Sequence, residues 1–181
     1  MEQNSEELKI LVEKAQNGDR DAFKEIFDRL SNRFFAYTFS RTSNRDDALD
    51  ISQEAFIELW NSLKRFKYRS DQSFYGFLFK IIKRKLYQYY KKKQKIVSLD
   101  VLDEKQLVQP AVKQNNYGYI LEYVNMLTSK NQDIIRLRYW SQMTFNEIAA
   151  VLNITESAAK VRHHRALQKL KINLTKDNYA I

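Results

Sequence analysis

The 181-residue chain has 31 Lys and Arg against 22 Asp and Glu, a formal charge of +9, and 44% hydrophobic residues, enough for real cores in one domain or two small ones. Zero Cys excludes disulfides, thiolate zinc sites and cysteine nucleophiles, while three Gly and one Pro argue against a sheet with many tight turns and for an all-helical protein. The longest apolar run, Ile148 to Leu152, is far short of a membrane span or a signal-peptide core, so no membrane insertion is expected.

The amino end is acidic, with eight acids against four bases in residues 1–28. Ser5 is the expected cap of a first helix with apolar positions Leu8, Leu11, Val12 and Ala15, closed by Asn17 and Gly18. A second helix starts near Asp19 with Ala22, Phe23, Ile26, Phe27 and Leu30 as its buried stripe, and runs on through the aromatic cluster Phe34, Phe35, Tyr37 and Phe39. Thr42 to Asn44 break it. The next helix, from about Arg45, has an inner stripe of Ala48, Ser52, Ala55, Phe56, Leu59 and Leu63. Its outer stripe sets Asp50, Gln53, Glu54 and Ile57 at i, i+3, i+4 and i+7, and Asp46 to Leu63 holds five acids and no base. Two readings stand for that face: a solvated acidic surface, or a protein-docking site marked by the exposed Ile57.

The charge then reverses. Residues 64–95 hold twelve cations against Asp71 alone, interleaved with Phe66, Tyr68, Phe74, Tyr75, Phe77, Phe79, Tyr87, Tyr89 and Tyr90. Cations that follow a backbone and rings that stack on unpaired bases are what holding single-stranded nucleic acid requires. Phe77, Leu78, Ile81 and Ile82 also suit a core, and one helix can serve both ends with its two faces.

Residues 96–116 contain the single Pro110 and no sustained helical period, and read as a flexible linker. A helix resumes around Tyr117 to Leu127, and Thr128 opens another that contains Asp133, Ile134, Ile135, Leu137 and Tyr139. Thr144 to Leu170 then reads as a helix-turn-helix suited to a DNA major groove, the alternative being an amphipathic helical hairpin whose charged face is merely solvated. Thr144 and Glu147 have capping-box spacing, Asn153 to Thr155 make the turn, and Thr155 caps the second helix. Ala159, His163, Ala166, Leu167 and Leu170 fall on its inner arc, while Lys160, Val161, His164, Arg165, Gln168 and Lys169 face out with Arg162 at the edge. Ala149, Ala150, Ala158 and Ala159 permit a close, steep crossing of the two short helices. The adjacent His163 and His164 point about 100° apart without a third partner, so His163 reads as a partly buried, hydrogen-bonded side chain and no metal site is expected.

Four segments in this order and spacing resemble the extracytoplasmic-function (ECF) class of bacterial RNA polymerase sigma factors: residues 18–30, 46–60, 73–86 and 127–170. The resemblance implies an all-α chain of two helical domains, with residues 1–95 for polymerase binding and opening of the minus-10 element, a linker at 96–116, and a helix-turn-helix domain at 117–181 for the minus-35 element. It implies core RNA polymerase, promoter DNA and an anti-sigma factor as partners, a cytoplasmic location, no cofactor and no enzymatic activity. Carried over residue by residue, Asp50, Gln53, Glu54, Ile57 and Trp60 are implied to bind polymerase. Phe66, Lys67, Tyr68, Arg69, Ser70, Asp71, Lys80, Lys83, Arg84 and Tyr87 are implied to meet the minus-10 strand. The minus-35 set is Thr144, Thr155, Lys160, Val161, Arg162, His164 and Arg165. The chain departs from the family pattern at Gly76-Phe77, where Thr-Trp is frequent, and at Arg84 and Gln88, where Asn and Asp are.

Overall fold

The computed structural model describes the backbone of residues 2–100 and 118–176 and the side chains of residues 6–93 and 119–175. These residues form α1 (Glu2–Gln16), α2 (Arg20–Thr42), α3 (Arg45–Leu63), α4 (Asp71–Asp100), α5 (Gly118–Asn125), α6 (Ser129–Tyr139), α7 (Phe145–Leu152) and α8 (Glu156–Lys176), with no strand among them. The fold is all-α. The chain divides into two compact units between Ala111 and Val112.

Local signals place most of the helix ends. Gly18 takes φ +92, where a side chain would be strained, and Asp19 then accepts the N–H groups of Asp21 and Ala22, both at 3.0 Å, to start α2. Ser43 ends α2 in the left-handed region at φ 54, its N–H bonded to Phe39 O at 2.9 Å. Asn44 caps α3 by accepting from Asp47 N–H at 3.0 Å. Two expectations differ. Helix α1 begins at Glu2, so Ser5 lies within it rather than capping it; nothing from Glu2 to Asn4 breaks a helix, and acids suit its first turn. Helix α4 extends to Asp100, five residues into the expected linker, because Ile96 to Asp100 contain neither Gly nor Pro. The remainder of that linker, 101–116, lies outside the described residues.

In the first unit α3 packs against α2 and α4, and α1 lies across α2. The α3 stripe Ala48, Ser52, Ala55, Phe56, Leu59 and Leu63 is buried as expected, and Ile51 joins it. Val12 of α1, Ile26, Leu30 and Phe34 of α2, and Phe74, Leu78 and Ile82 of α4 are buried in the same unit. Tyr37 of α2 and Phe79 of α4 meet edge-on with ring centroids 4.9 Å apart. Each large apolar side chain buried in this way contributes about 1.5–3 kcal/mol.

In the second unit α8 packs on α6 and α7. The Thr144 capping box forms: Thr144 Oγ1 accepts Glu147 N–H at 3.3 Å, and Glu147 Oε2 accepts Thr144 N–H at 2.7 Å. Asn153 makes the turn in the left-handed region at φ 53, and Thr155 Oγ1 accepts Ala158 N–H at 3.1 Å. Ala149 and Ala159 are buried at the crossing, whereas Ala158 points outward. Residues 177–181 lie outside the described residues.

Candidate docking and nucleic-acid interface

The outer side of α3 joins α2 to form an apolar trench. A groove of about 470 Å³ is lined by Arg20, Phe23, Phe27, Gln53, Phe56, Ile57 and Trp60. A second, of about 280 Å³, shares Phe27, Gln53 and Phe56 and continues to Phe35, Arg45 and Leu49. Ile57 is 62% exposed, Asp50, Gln53 and Glu54 are exposed, and Trp60 is half-buried with its ring 4.9 Å from that of Phe23. Phe23 and Phe27, expected in the buried stripe of α2, instead stand on its flank. Phe27 is 36% exposed and meets Phe56 edge-on at 4.9 Å. The true stripe is Ala22, Ile26, Leu30 and Phe34; which flank stays open depends on where α3 lies.

The cationic stretch from Lys64 to Lys93 sorts onto two faces. Phe74, Leu78, Phe79, Ile81, Ile82 and Leu86 are buried, while Lys80, Lys83, Arg84 and Tyr87 are exposed, Tyr87 by 66%. Tyr89 donates to the Asp47 carboxylate at 2.7 Å and Tyr90 to Arg41 O at 2.6 Å, so these rings brace α4 against α3 and the end of α2. Arg84 forms an ion pair with Glu58, and Lys85 reaches Glu54 at 3.0 Å and Glu58 at 3.7 Å. The expected strand-facing Arg84 and polymerase-facing Glu54 therefore belong to one charged seam between α3 and α4. Glu58 was not among the expected site residues.

Ahead of α4, Phe66 is half-buried, stacked on Phe77 at 4.8 Å and edge-on to Phe74 at 5.7 Å, so it forms a floor rather than an open face. Lys67 and Arg69 are exposed above it. The Tyr68 hydroxyl donates to Asp71. Ser70 and Ser73 lock the helix start reciprocally: Ser70 Oγ accepts Ser73 N–H at 3.2 Å and Ser73 Oγ accepts Ser70 N–H at 3.1 Å.

On α8, Val161 is 47% exposed beside exposed His164 and Arg165, with Arg162 half-buried. Lys160 pairs with Glu156 at 2.7 Å, and His164 Nε2 lies 3.0 Å from Gln168 Nε2. Thr144 and Thr155 spend their hydroxyls on the caps. The start of α6 widens the basic surface: Lys130 and Asn131 share a groove of about 650 Å³ with Arg162, Arg165 and Lys169. Nothing in the order of residues places Lys130 beside α8.

His163 is half-buried, as the sequence suggests. Its Nε2 lies 3.3 Å from the Tyr139 hydroxyl, and its ring packs on those of Tyr139 and Phe145. Burial, and then the positive charges of Arg138 and His164, push its pKa below the ordinary 6.5. The unfolded chain therefore takes up this proton first. The stability His163 contributes is complete above 6.5 and drains as pH falls from there toward the folded-state value. Thermal melts in a pH series should fall below 6.5, and His163→Leu should flatten that fall; an unchanged slope in His163→Leu would exclude His163 as its source. Among the described residues no group of three His, Cys, Asp or Glu could hold a metal ion, and no helix is long and apolar enough to cross a membrane.

The chain matches two family models, Sigma-70 region 2 over residues 26–96 and Sigma-70 region 4 over residues 124–171. It is 24% identical over 174 residues to the ECF RNA polymerase sigma factor BldN of Streptomyces coelicolor, covering 92% of this chain and 66% of BldN. It is 26% identical over 182 residues to the ECF RNA polymerase sigma factor SigW of Bacillus subtilis, covering 92% of this chain and 96% of SigW. The chain belongs to the ECF class of RNA polymerase sigma factors. The solved structure of CnrH, in complex with the cytosolic domain of CnrY, shares the fold with a TM-score of 0.66 and 22% identity, over 94% of this chain and 99% of that one. As a sigma factor it binds core polymerase and recognises promoters for transcription initiation. The region 2 match takes in the α3 face and the cationic α4, and the region 4 match takes in α7 and α8.

Proposed function

We propose that this sigma factor docks on core polymerase through the α2–α3 trench, captures the minus-10 strand with the loop before α4 and the outer side of α4, and reads the minus-35 element with α8. The single observation that carries the reading is the trench itself: apolar rings and an exposed Ile57 lie beside Asp50, Gln53 and Glu54 on the flank of α3 that the rest of its unit leaves open. Such a surface fits a helical partner of cationic surface charge. The chain would act in the cytoplasm, where polymerase is, and make or break no bond itself.

Melting costs stacking energy of about 1.4 kcal/mol per base step. The protein meets that cost by binding the opened strand better than the duplex. Lys67, Arg69, Lys80 and Lys83 supply exposed cations and Tyr87 an exposed ring, so phosphates and one or more stacked bases can be held together. Stacking contributes about 1–3 kcal/mol per base, enough to offset one or two steps. Glu58 and Glu54 hold Arg84 and Lys85 at the seam, which leaves Lys80, Lys83 and Tyr87 as the strand-facing members of the expected set on α4.

An anti-sigma protein is a further expected partner. The sigma factor RpoE of Bartonella quintana was solved with the anti-sigma factor NepR and matches this fold with a TM-score of 0.62. On α8, each bidentate cation contact to guanine discriminates by about 1–3 kcal/mol. Arg165→Ala should lower transcription from minus-35-dependent promoters about tenfold or more while core polymerase is retained as by wild type. In vitro transcription beside pulldown reads both; an unchanged minus-35 dependence would remove Arg165 from the reading surface.

A further inference from the structure

Gln16, the last residue of α1, is half-buried and spends its side-chain amide on a distant segment. Its Nε2 donates to Leu63 O at 3.0 Å and to Phe66 O at 2.6 Å. Leu63 is the last residue of α3, and Phe66 is the ring that stacks on Phe77 beneath the loop. Leu63 O also accepts Phe66 N–H at 2.9 Å, closing the turn that Gln16 holds from outside. The far end of the loop is fixed separately by the Ser70 and Ser73 bonds. Lys67, Tyr68 and Arg69 thus stand between two anchors, one of which comes from a helix 47 to 50 residues earlier. That helix precedes the region 2 match, which begins at residue 26. Its own end is set by the Gly18 turn and the Asp19 cap, so the amide is presented by a rigid corner.

We infer that Gln16 is a positioning residue for base recognition in the minus-10 element: by tying the carbonyls of Leu63 and Phe66 to α1, it holds the loop in a capture-ready shape before DNA arrives. This rests on the reading of the loop before α4 as the capturing element. A loop already ordered loses less conformational entropy on binding a base, and a loop held in one shape distinguishes one base from another. Freed of the tie, the loop still carries Lys67 and Arg69 and still attracts phosphates. The loss therefore falls on discrimination between bases more than on attraction to DNA.

The test is in vitro transcription with core polymerase over promoters that carry each of the four bases at each minus-10 position. Gln16→Glu keeps the size but replaces the donor with a charge that repels both carbonyls, whereas Gln16→Lys restores N–H donors on a flexible stem. Gln16→Glu should lower the best wild-type discrimination ratio about fivefold, as expected for the loss of hydrogen bonds of ordinary net strength, with core retention and minus-35 dependence unchanged. Gln16→Lys should stay within about twofold of wild type by the same measure. Full discrimination in Gln16→Glu, or an equal loss in Gln16→Lys, overturns the inference. So does a loss that runs in proportion to lost core retention, the mark of a merely structural residue. If Gln16→Glu does not fold, Gln16→Met, of similar length and without a donor, is judged by the same criterion. A wild type that discriminates at no minus-10 position refutes the capture reading itself, a result distinct from a discriminating wild type matched by its Gln16 variants.

Discussion

Ile57→Asp is expected to lower retention of core RNA polymerase by about thirtyfold or more, the effect of removing about 2 kcal/mol at the centre of an interface, with little change in melting temperature. Ile57 is 62% exposed, so the fold gains little from its burial and an exposed substitution there costs about 0.5 kcal/mol. The loss is to the partner. Ile57 lines the trench with Phe23, Phe56 and Trp60, and a carboxylate at that point would be desolvated among rings when a partner helix seats. Pulldown of core polymerase and a thermal melt of the same preparation measure the two quantities. Gln53→Ala with Glu54→Ala, on the rim beside it, should weaken retention less, since rim contacts contribute little. Undiminished retention by Ile57→Asp would show that polymerase docks elsewhere.

Arg136→Ala should unfold much of the second unit. Arg136 is 1% exposed, donates from Nη1 to Gln132 Oε1 at 2.8 Å and from Nη2 to Asn125 Oδ1 at 2.5 Å, and is one of the largest fully buried side chains among the described residues. Gln132 Nε2 in turn donates to Asn125 O and Leu127 O, both at 2.8 Å, so one network ties the end of α5 to α6. An Arg stays charged at any pH of interest, so it persists in the interior only where partners hold it. Truncation removes the charge but strands the acceptors of Asn125 and Gln132 and leaves a cavity, at a combined cost of about 3–5 kcal/mol. Small domains have only about 5 kcal/mol or somewhat more in hand. Hydrogen exchange should show lost protection across residues 119–175 with residues 6–93 unchanged. Arg136→Met, which fills most of the volume but pairs with neither acceptor, should recover part of the loss. A melt of Arg136→Ala equal to wild type would mean that the network contributes nothing net.

The helices were largely legible in the order of residues because their determinants act over three or four positions. Thr144 with Glu147 and Thr155 before α8 are local hydrogen-bonding patterns that close within one turn, and each formed as spaced. The stripe from Ala48 to Leu63 is a periodicity, and it is buried. Periodicity is weakest where it must tell the centre of a stripe from its edge. Phe23 and Phe27 fit the expected core of α2, yet they line the trench because α3 covers Ile26 and Leu30 more fully than that flank.

Composition and charge likewise separated the acidic α3 from the basic α4, but could not say which acid meets which cation. The pairing of Glu58 with Arg84 and Lys85, and of Glu54 with Lys85, follows from the packing of α3 on α4 across some thirty residues of chain. By itself, then, the sequence determined the all-helical class, the helix-turn-helix with its caps and facing residues, the half-buried His163 and the family. Only the tertiary structure decided that Gln16 anchors the loop before α4, that Lys130 joins the basic groove of α8, that Arg136 lies inside, and that an apolar trench stays open between α2 and α3. The physical reason is range: caps and stripes are set by neighbours within a turn or two, whereas an uncovered flank, a buried charge or a cross-helix tie exists only once segments far apart in the chain have been packed together.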